Sequence, residues 1–421
     1  VISATKEMAK NVKEISVGER SGITIPTRYN FKQAGYPEVI KKHGVKTYYF
    51  DETKQVPFKL KKDVNLRDNM FFPKPIVDCD FLINMPKFKA HPWCRLTLSL
   101  KNFIGIQDDK HRLVDHNSFL EHKIADLQEV IQPKFIAIIQ PKFIAIDGIT
   151  AGQKMMLTPT PFDMGAIVMG TNSCAVDTVC AHMVNVDPKD VIHLKFASER
   201  GFGPMNLEEI EVLGDFPLEE MQKKTKNFEF CMEHIDSYFE KSPNLSCTVG
   251  TFPEKHSPDY CWGGCPGSLQ ETMHIFRAFY PEIEKEMGKV RYVVGKVDGP
   301  LNLEENEKVL FAGDCTSWEG EIDGEHVKIE SAYKTTSDVD EKKAKSNDLQ
   351  LKIISASLHT LFNRKRYIHL KGCPTSVAQH VNYLSSIAKI PNVNFDPRLV
   401  FGVNAAYYKM QFMKLLNKLI T

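Results

Sequence analysis

Long apolar runs are missing from this sequence: no stretch approaches the ~20 residues that a membrane-spanning helix requires, so no membrane span is expected. An excess of one charge is missing as well, since Lys plus Arg is 54 and Asp plus Glu is 53. The overall charge therefore does not indicate nucleic acid or an anionic membrane as a partner. No G-x-G-x-x-G fingerprint follows a predicted strand, so the sequence carries no flavin or NAD signature.

Dense cysteine spacing, the mark of small secreted scaffolds, is also absent, because ten cysteines are spread over 421 residues. This usage favours a reducing compartment, the cytoplasm, with some thiols reserved for metal binding. The sequence begins with Val1 rather than Met. We therefore expect residues upstream of it, which leaves a removed targeting segment open.

The length of the chain exceeds what one hydrophobic core usually organises, so two domains are expected, with three small ones as the alternative. Short apolar runs alternate with amphipathic segments at a spacing typical of parallel α/β architecture. We predict two α/β domains, each a mostly parallel sheet with flanking helices. Residues 1–215 form the first domain, 216–258 a charged connecting segment, and 259–421 the second domain.

An identical repeat interrupts the first domain: Ile131–Ile138 recurs as Ile139–Ile146. Solenoid repeats are longer and diverge in sequence, so this isolated copy does not indicate a repeat architecture. We interpret it as an error in how the sequence was established or as a local duplication. One copy is expected to supply a strand that ends at Asp147, and the other is surplus.

Four cysteines of the second domain share one setting, a loop close to a predicted strand or helix end. They are Cys261, Cys265, Cys315 and Cys373. The strand before Cys315 is expected to stop at Gly313, and a strand followed by Gly also precedes Cys373. Backbone curvature at such loops can bring the thiols together, which is how a metal site is built.

Helix signals follow two of these thiols. Ser268–Glu271 is a capping-box pattern, so Cys265 is expected just before a helix N-terminus. Val377 and the apolar residues that follow it at helical spacing predict a second helix behind Cys373. Helix N-termini lower thiol pKa values and favour the net negative charge of a thiolate-bound cluster. We therefore predict a single [4Fe-4S] cluster held by the four thiols.

Other interpretations of the thiols remain open. Structural zinc usually draws its ligands from two short C-x2-4-C pairs, whereas only one close pair occurs here. Ordinary buried thiols, or thiols paired as a disulfide, are also common. Among the remaining cysteines, Cys180 is expected on a helix with its side chain in the hydrophobic core. Cys231 or Cys247 could replace one of the four proposed ligands.

A second constellation lies in the first domain, where basic residues alternate after a predicted buried strand and recur in the next apolar stretch. Carboxyl ends of parallel strands are where α/β proteins bind ligands, so these side chains can converge on a small anion. Two acidic residues near other predicted strand ends are expected to complete the cleft. The candidate substrate-binding residues are Lys87, Lys89, His91, Lys101, Asn102, Asp147 and Asp177. The alternative is that the alternate lysines are simply solvated.

The motifs of the first domain resemble a known family. Asn84–His91 and Thr97–Gly105 are similar to segments of the domain-of-unknown-function family 362, and the pattern Lys-Asn-x-x-Gly that starts at Lys101 is the most specific part. The resemblance covers roughly residues 20–215. Members of that family often occur with iron–sulfur modules, so the resemblance implies such a module for this chain. It implies no particular reaction.

The second domain has a different resemblance. Gly313–Cys315 and Gly372–Pro374, placed after a cysteine pair, resemble the proximal-cluster pattern of nickel–iron hydrogenase small subunits and related quinone-reductase subunits. The chain departs from that pattern in two ways. Cys261 and Cys265 are spaced C-x3-C rather than more tightly, and a single Pro follows Cys373. The arrangement of cysteine ligands in that pattern applies to this chain as well. The resemblance does not imply common ancestry.

These observations favour an oxygen-sensitive iron–sulfur redox protein of anaerobic metabolism. We expect a reductase that passes electrons through the cluster to a small anionic substrate or a protein partner, supplied by an electron-donor protein such as a ferredoxin. One alternative is a non-enzymatic electron carrier or assembly factor that docks through the cleft. The other is a dehydratase-type lyase, which normally leaves one iron without a protein ligand, so four Cys ligands weigh against it.

Overall fold

The computed structural model describes residues 1–9, 11–22, 25–116, 119–131, 141–230, 242–253, 264–339 and 365–420. They form two α/β halves, each with its own five-stranded sheet and hydrophobic core. Parallel strand pairs predominate, and the predicted fold class is confirmed. Cys231, Cys261 and residues 132–140 of the repeated segment lie outside the described residues.

The N-terminal half alternates short strands and helices before a long hairpin. Its strands are β1 (Ser16–Glu19), β2 (Lys46–Tyr49), β3 (Gln55–Lys59), β4 (Asn69–Pro73), β5 (Leu82–Asn84), β6 (Lys87–His91), β7 (Arg95–Thr97), β8 (Pro141–Gln153) and β9 (Thr160–Gly170). Its helices are α1 (Ile2–Met8), α2 (Thr27–Gln33), α3 (Tyr36–His43), α4 (Lys74–Val77), α5 (Ser99–Gly105), α6 (Asp109–Arg112), α7 (Leu120–Ile131), α8 (Ser173–Met183), α9 (Ile192–Glu199) and α10 (Leu218–Lys224).

The long strand β8 organises the N-terminal sheet. Both β5 and β6 run parallel to it, β9 pairs with it in the antiparallel sense, and β7 pairs with β6 in the antiparallel sense. Because side chains alternate across a strand, Phe88 and Ala90 of β6 enter the core, while the residues between them lie on the opposite face. The core-facing positions are fully buried. The register of β6 therefore determines where Lys89 and His91 project.

The C-terminal half has a simpler order. Its strands are β10 (Leu245–Val249), β11 (Val290–Lys296), β12 (Lys308–Ile322), β13 (Glu325–Ile329) and β14 (Tyr367–Leu370). Its helices are α11 (Cys265–Phe279), α12 (Ile283–Glu286), α13 (Val377–Ile387) and α14 (Pro397–Ile420). The strand order β10–β11–β12–β14 is parallel throughout, and β13 pairs with the distal part of β12 in the antiparallel sense. Apolar residues of α11 and α13 cover one face of this sheet.

Several details differ from the sequence-based expectations, among them the end of strand β8, which runs past Asp147 to Gln153. Strand β12 does not stop at Gly313, because that residue adopts φ +103° and lets the strand bend and continue. Helix α11 begins at Cys265 itself, three residues before the predicted cap Ser268, and the capping box is not formed. Strand β10 lies within the predicted connecting segment, where it pairs with β11, while Phe228 packs on the N-terminal core.

Candidate functional site

The thiol site consists of Cys265, Cys315 and Cys373, the three proposed cluster ligands that the structure describes. Cys265 is the first residue of α11 and is almost completely buried. A β-carbon built on Gly313 would lie 2.8 Å from the Cys265 sulfur and 3.9 Å from the Cys315 sulfur. Both sulfurs therefore face the same glycine, and a side chain at this position would collide with Cys265.

Hydrogen bonds hold the loop that carries the third thiol against the loop that carries the second. In the sheet, Ala312 of β12 is level with Leu370 of β14, so the two chains leave the parallel sheet at the same height. The Gly372 N–H donates to the Asp314 carboxylate at 2.7 Å, and the Asp314 N–H donates to the Gly372 carbonyl at 3.1 Å. These reciprocal bonds fix the loop that carries Cys373 against the loop that carries Cys315.

A further hydrogen bond ties the Cys373 loop to α11. The Ser268 hydroxyl donates to the carbonyl of Thr375 at 2.6 Å, and both residues are fully buried. Ser268 lies one helical turn after Cys265. The helix N-terminus and the two strand ends thus form one connected corner of the C-terminal half.

The chemistry of this corner suits a metal–thiolate centre. Burial raises the pKa of the Cys315 thiol, while the backbone N–H groups of Cys315 and Gly295 act in the opposite direction. A bound metal removes such a thiol proton outright, and backbone N–H groups next to sulfur stabilise the resulting negative charge. The residues present therefore fit a thiolate-bound group.

The three described thiols, Cys265, Cys315 and Cys373, are not arranged as a metal-binding group. Within the described part of the chain, no group of three or more His, Cys, Asp or Glu side chains is arranged to hold a metal ion. Cys261, the fourth proposed ligand, lies outside it, as does Cys231. Cys247 pairs with Tyr292 within the parallel sheet and packs on the core, upstream of the strand ends that carry the thiol site.

The second candidate, the Lys101 site, consists of Lys89, His91, Lys101 and His193 of the N-terminal half. Lys89 and His91 share the face of β6 that is turned away from Phe88. His91 is buried, and its Nδ1 accepts a hydrogen bond from the Trp93 N–H at 3.1 Å. A neutral His91 therefore carries its proton on Nε2, which can donate to a ligand.

Buried polar contacts hold the helix that carries Lys101. The Asp177 carboxylate accepts the N–H groups of Ser99 and Leu100, both at 2.9 Å, and the Ser99 hydroxyl at 2.7 Å. This carboxylate occupies the start of α5, where the N–H groups have no intrahelical partner. Burial raises the pKa of Asp177 to about 7. Asp177 thus fixes the start of the helix that carries Lys101.

Two asparagines fasten the same helix to β5. The Asn84 side chain donates to the Ser99 carbonyl at 3.0 Å, and the Asn102 side chain donates to the Asn84 side-chain oxygen at 2.7 Å. Asn84 is the last residue of β5 and is buried. Asn102, a candidate ligand-binding residue by sequence, is thereby engaged in fixing the helix.

Lys101 is buried, with 8% of its surface exposed, and no hydrogen bond or ion pair joins its ammonium to another described residue. Lys123 provides an internal comparison, because it is 1% exposed and its ammonium donates to the carbonyls of His111, Arg112 and Val114 at 2.6–2.8 Å. Among the described residues, the Lys123 ammonium therefore has three acceptors and the Lys101 ammonium has none.

Electrostatic interactions connect the four members of the Lys101 site, and Lys101 follows Thr97, the cross-strand partner of Lys89, by four residues. Burial lowers the pKa of Lys101 to about 8. Burial, followed by the Lys101 charge, lowers the pKa of His91 well below its usual range and that of His193 to about 3. Lys89 contributes to the shifts of both Lys101 and His91. Both imidazoles are therefore neutral, which suits them to donate single hydrogen bonds.

Other candidate residues lie outside this group. The Lys87 ammonium pairs with the Asp147 carboxylate at 2.8 Å, and both side chains are about half exposed. This pair lies on the surface, where ion pairs contribute little to stability. Sequence reasoning missed His193, because it lies on α9, far along the chain from Lys101, and no local motif marks it.

A contact between the two halves connects the sites. Glu271 of α11 is fully buried and accepts the N–H groups of Met156, Leu157 and Thr158 at 2.9–3.1 Å. The carbonyl of Met156 in turn accepts a hydrogen bond from the Lys89 ammonium. Met156 therefore contacts both Glu271 of α11, the helix that begins with Cys265, and Lys89 of the Lys101 site.

Comparison with known proteins finds a family likeness over the first part of the chain. The family model for the Domain of unknown function (DUF362) matches residues 1–182, which include β6, α5 and most of α8. No curated protein and no solved structure matches the chain. The described helices include none that is long and apolar enough to cross a membrane.

Proposed function

We propose that this protein is an iron–sulfur redox protein in which Cys261, Cys265, Cys315 and Cys373 hold one [4Fe-4S] cluster. Electrons pass through the cluster to a small anionic substrate or a protein partner. The observation that carries the proposal is the approach of the Cys265 and Cys315 sulfurs to Gly313. Glycine is the residue expected where bulky sulfur ligands crowd the backbone.

The protein's part in this function is to hold and tune the thiolates. The N-terminus of α11 carries partial positive charge, which favours a thiolate at Cys265. The reciprocal bonds between Asp314 and Gly372 hold the Cys373 loop against the Cys315 loop, which supports a shared role for the two thiols. When bound, a cubane cluster supplies one-electron transfer at a potential set by such surroundings.

The electron donor in this proposal is another protein, such as a ferredoxin. The sequence has no G-x-G-x-x-G fingerprint after a strand, so no dinucleotide site is evident from it. Where the electron acceptor is a small molecule rather than a protein, it is an anion held at the Lys101 site. Glu271 supports this pairing of sites, because its helix begins at Cys265 and its carboxylate holds the loop that contacts Lys89.

Anaerobic purification followed by iron and acid-labile sulfide analysis tests the proposal. A brown protein with about four irons per chain, bleached by dithionite, is the expected result for one cubane. Cys315→Ser and Cys373→Ser are expected to lower the iron content. Cys180→Ser is the matched control, because Cys180 is fully buried in the N-terminal core and should affect stability only.

Two outcomes would reject the assignment. A colourless protein that carries stoichiometric zinc would show that the thiols form a structural zinc site and not an iron–sulfur centre. Loss of iron in Cys180→Ser together with full iron in Cys315→Ser would show that the ligands are other cysteines.

A further inference from the structure

Several hydrogen-bond donors of the N-terminal half are buried without acceptors. Nδ1 of His193, Nε1 of Trp93 and the hydroxyl of Thr97 are buried and have no hydrogen-bond partner among the described residues. The Lys101 ammonium, on a residue that is 8% exposed, likewise makes no hydrogen bond to a described residue. His193 is 1% exposed. More than nine tenths of buried polar groups in native proteins are paired, so several unpaired groups in one region require an explanation. A ligand that accepts hydrogen bonds is one that satisfies them together.

Two of these groups, Trp93 and Thr97, lie beside Lys89 and His91 of β6. Thr97 of β7 is the cross-strand neighbour of Lys89 of β6, so their side chains share a face of the sheet. The rings of Trp93 and His91 pack edge to face with their centroids 5.5 Å apart. His91 belongs to the same face as Lys89, because the two are separated by one residue of the strand.

The charges around Lys101 define the ligand. Lys89 and Arg112 add positive charge, whereas Cys94 and Glu121 favour the charged amine, with Glu121 the weaker of the two. No described carboxylate lies within ion-pair distance of Lys101, and Cys94 directs its thiol to Glu121 at 3.9 Å. A buried ammonium without a counter-ion is costly. Among the described residues, the Lys101 ammonium therefore has no counter-ion in direct contact.

The number of positive charges and the type of donor favour a carboxylate over a phosphate. Lys89 already donates to the Met156 carbonyl and has the Glu271 carboxylate as an opposite charge, and the imidazoles are neutral, so Lys101 is the ammonium left to pair. A phosphate dianion would leave excess negative charge buried. The N-terminus of α5, which could otherwise bind phosphate, is occupied by the Asp177 carboxylate.

We propose that the Lys101 site binds a small carboxylate, with Lys101 as its counter-ion and His91, His193, Trp93 and Thr97 as hydrogen-bond donors. This inference deepens the proposed function, on which it rests, by naming the class of substrate. His193 is assigned here as a binding residue. The surface pair of Lys87 and Asp147 takes no part in the site.

Calorimetric titration of the anaerobically purified full-length protein with acetate, succinate and inorganic phosphate tests the proposal. Wild-type protein is expected to bind acetate or succinate more tightly than phosphate. Lys101→Met is expected to weaken carboxylate binding at least tenfold, because a charge-assisted hydrogen bond is lost. His193→Gln is expected to weaken it several-fold, since a new side chain replaces the ring donor.

Lys87→Met is the matched control, because it removes a lysine from the same strand but from the exposed ion pair. Its affinity for the carboxylates is expected to stay within twofold of the wild type. Circular dichroism and the unfolding midpoint of each variant establish that it is folded. Should Lys101→Met unfold, His193→Gln supplies the comparison on its own.

The proposal is overturned if wild-type protein binds none of the three anions, if Lys101→Met binds carboxylates as tightly as the wild type, or if phosphate binds most tightly. Iron is measured on the same samples. Lost carboxylate binding with normal iron content rejects the Lys101 site alone. Normal carboxylate binding in a protein without iron rejects the proposed redox function alone.

Discussion

Replacing Lys101 by Met is expected to stabilise the ligand-free protein while removing its affinity for carboxylates. Met keeps the length of the side chain and deletes the charge. One pKa unit corresponds to about 1.4 kcal/mol, so a decrease from 10.5 to about 8 means that the buried charge costs about 3 kcal/mol. At roughly 2–4 °C per kcal/mol, the unfolding midpoint of the N-terminal half should rise by several degrees.

The pH dependence of this difference gives an independent check. Below pH 8, Lys101 is protonated in both the folded and the unfolded chain, so the wild type carries the whole penalty. Between about pH 8 and 10.5 the unfolded chain binds a proton that the folded chain has released, and wild-type stability rises relative to the variant. The stability difference between the two proteins should therefore shrink as pH increases through this window.

The measurement is chemical denaturation of both proteins, followed by circular dichroism, in a buffer without carboxylates or phosphate. Lys123→Met is the comparison, since Lys123 is also buried and burial lowers its pKa to about 7, but its ammonium donates to three carbonyls. Its replacement removes a buried charge and also leaves three carbonyls unsatisfied, at a cost of about 1–3 kcal/mol each, so it should stabilise the protein less than Lys101→Met does or destabilise it. If Lys101→Met stabilises the protein no more than Lys123→Met, Lys101 has a structural partner and the reasoning is wrong.

Two further predictions concern the C-terminal half. Gly313→Ala should lower iron content in anaerobic preparations, because its β-carbon would lie 2.8 Å from the Cys265 sulfur and the backbone φ is +103°. Gly324→Ala is the control for backbone strain alone, because a β-carbon at that turn would touch nothing. Glu271→Ala should lower the free energy of unfolding by about 3 kcal/mol, measured by denaturation, because three N–H groups lose their acceptor. Unchanged stability in this variant would show that water replaces the carboxylate without cost.

The thiol site was accessible from sequence because its signals are local. A strand followed by Gly and Cys occurs twice, and parallel strands that end in this way bring their loops to one edge. The sequence could not show that β12 continues beyond Gly313, because only the folded chain reveals the pairing with β13 that prolongs the strand. It also misplaced the start of α11, since Ser268 and Glu271 form hydrogen bonds with distant segments instead of capping the helix.

The Lys101 site was accessible only in part. Alternation along β6 indicated that Lys89 and His91 share a face, and the predicted α/β fold suggested a site near the strand ends. Burial separates Lys101 from Lys87, and burial depends on which elements pack above each side chain. His193 and Asp177 reach the region from α9 and α8, so their roles follow from tertiary packing that no local pattern encodes.

The position of Glu271 suggests why both sites occur in one chain. Its carboxylate lies six residues after Cys265 on a straight stretch of helix, a rise of roughly 9 Å, so a shift of the helix at the thiol end moves the carboxylate as well. The loop that it holds also contacts Lys89, whose charge acts on both His91 and Lys101. The contacts from α11 through Glu271 and Met156 to Lys89 are the route by which we expect the proposed cluster and the proposed anion site to affect each other. Two sites joined by one buried carboxylate fit a protein that couples electron transfer to ligand binding better than they fit two independent modules.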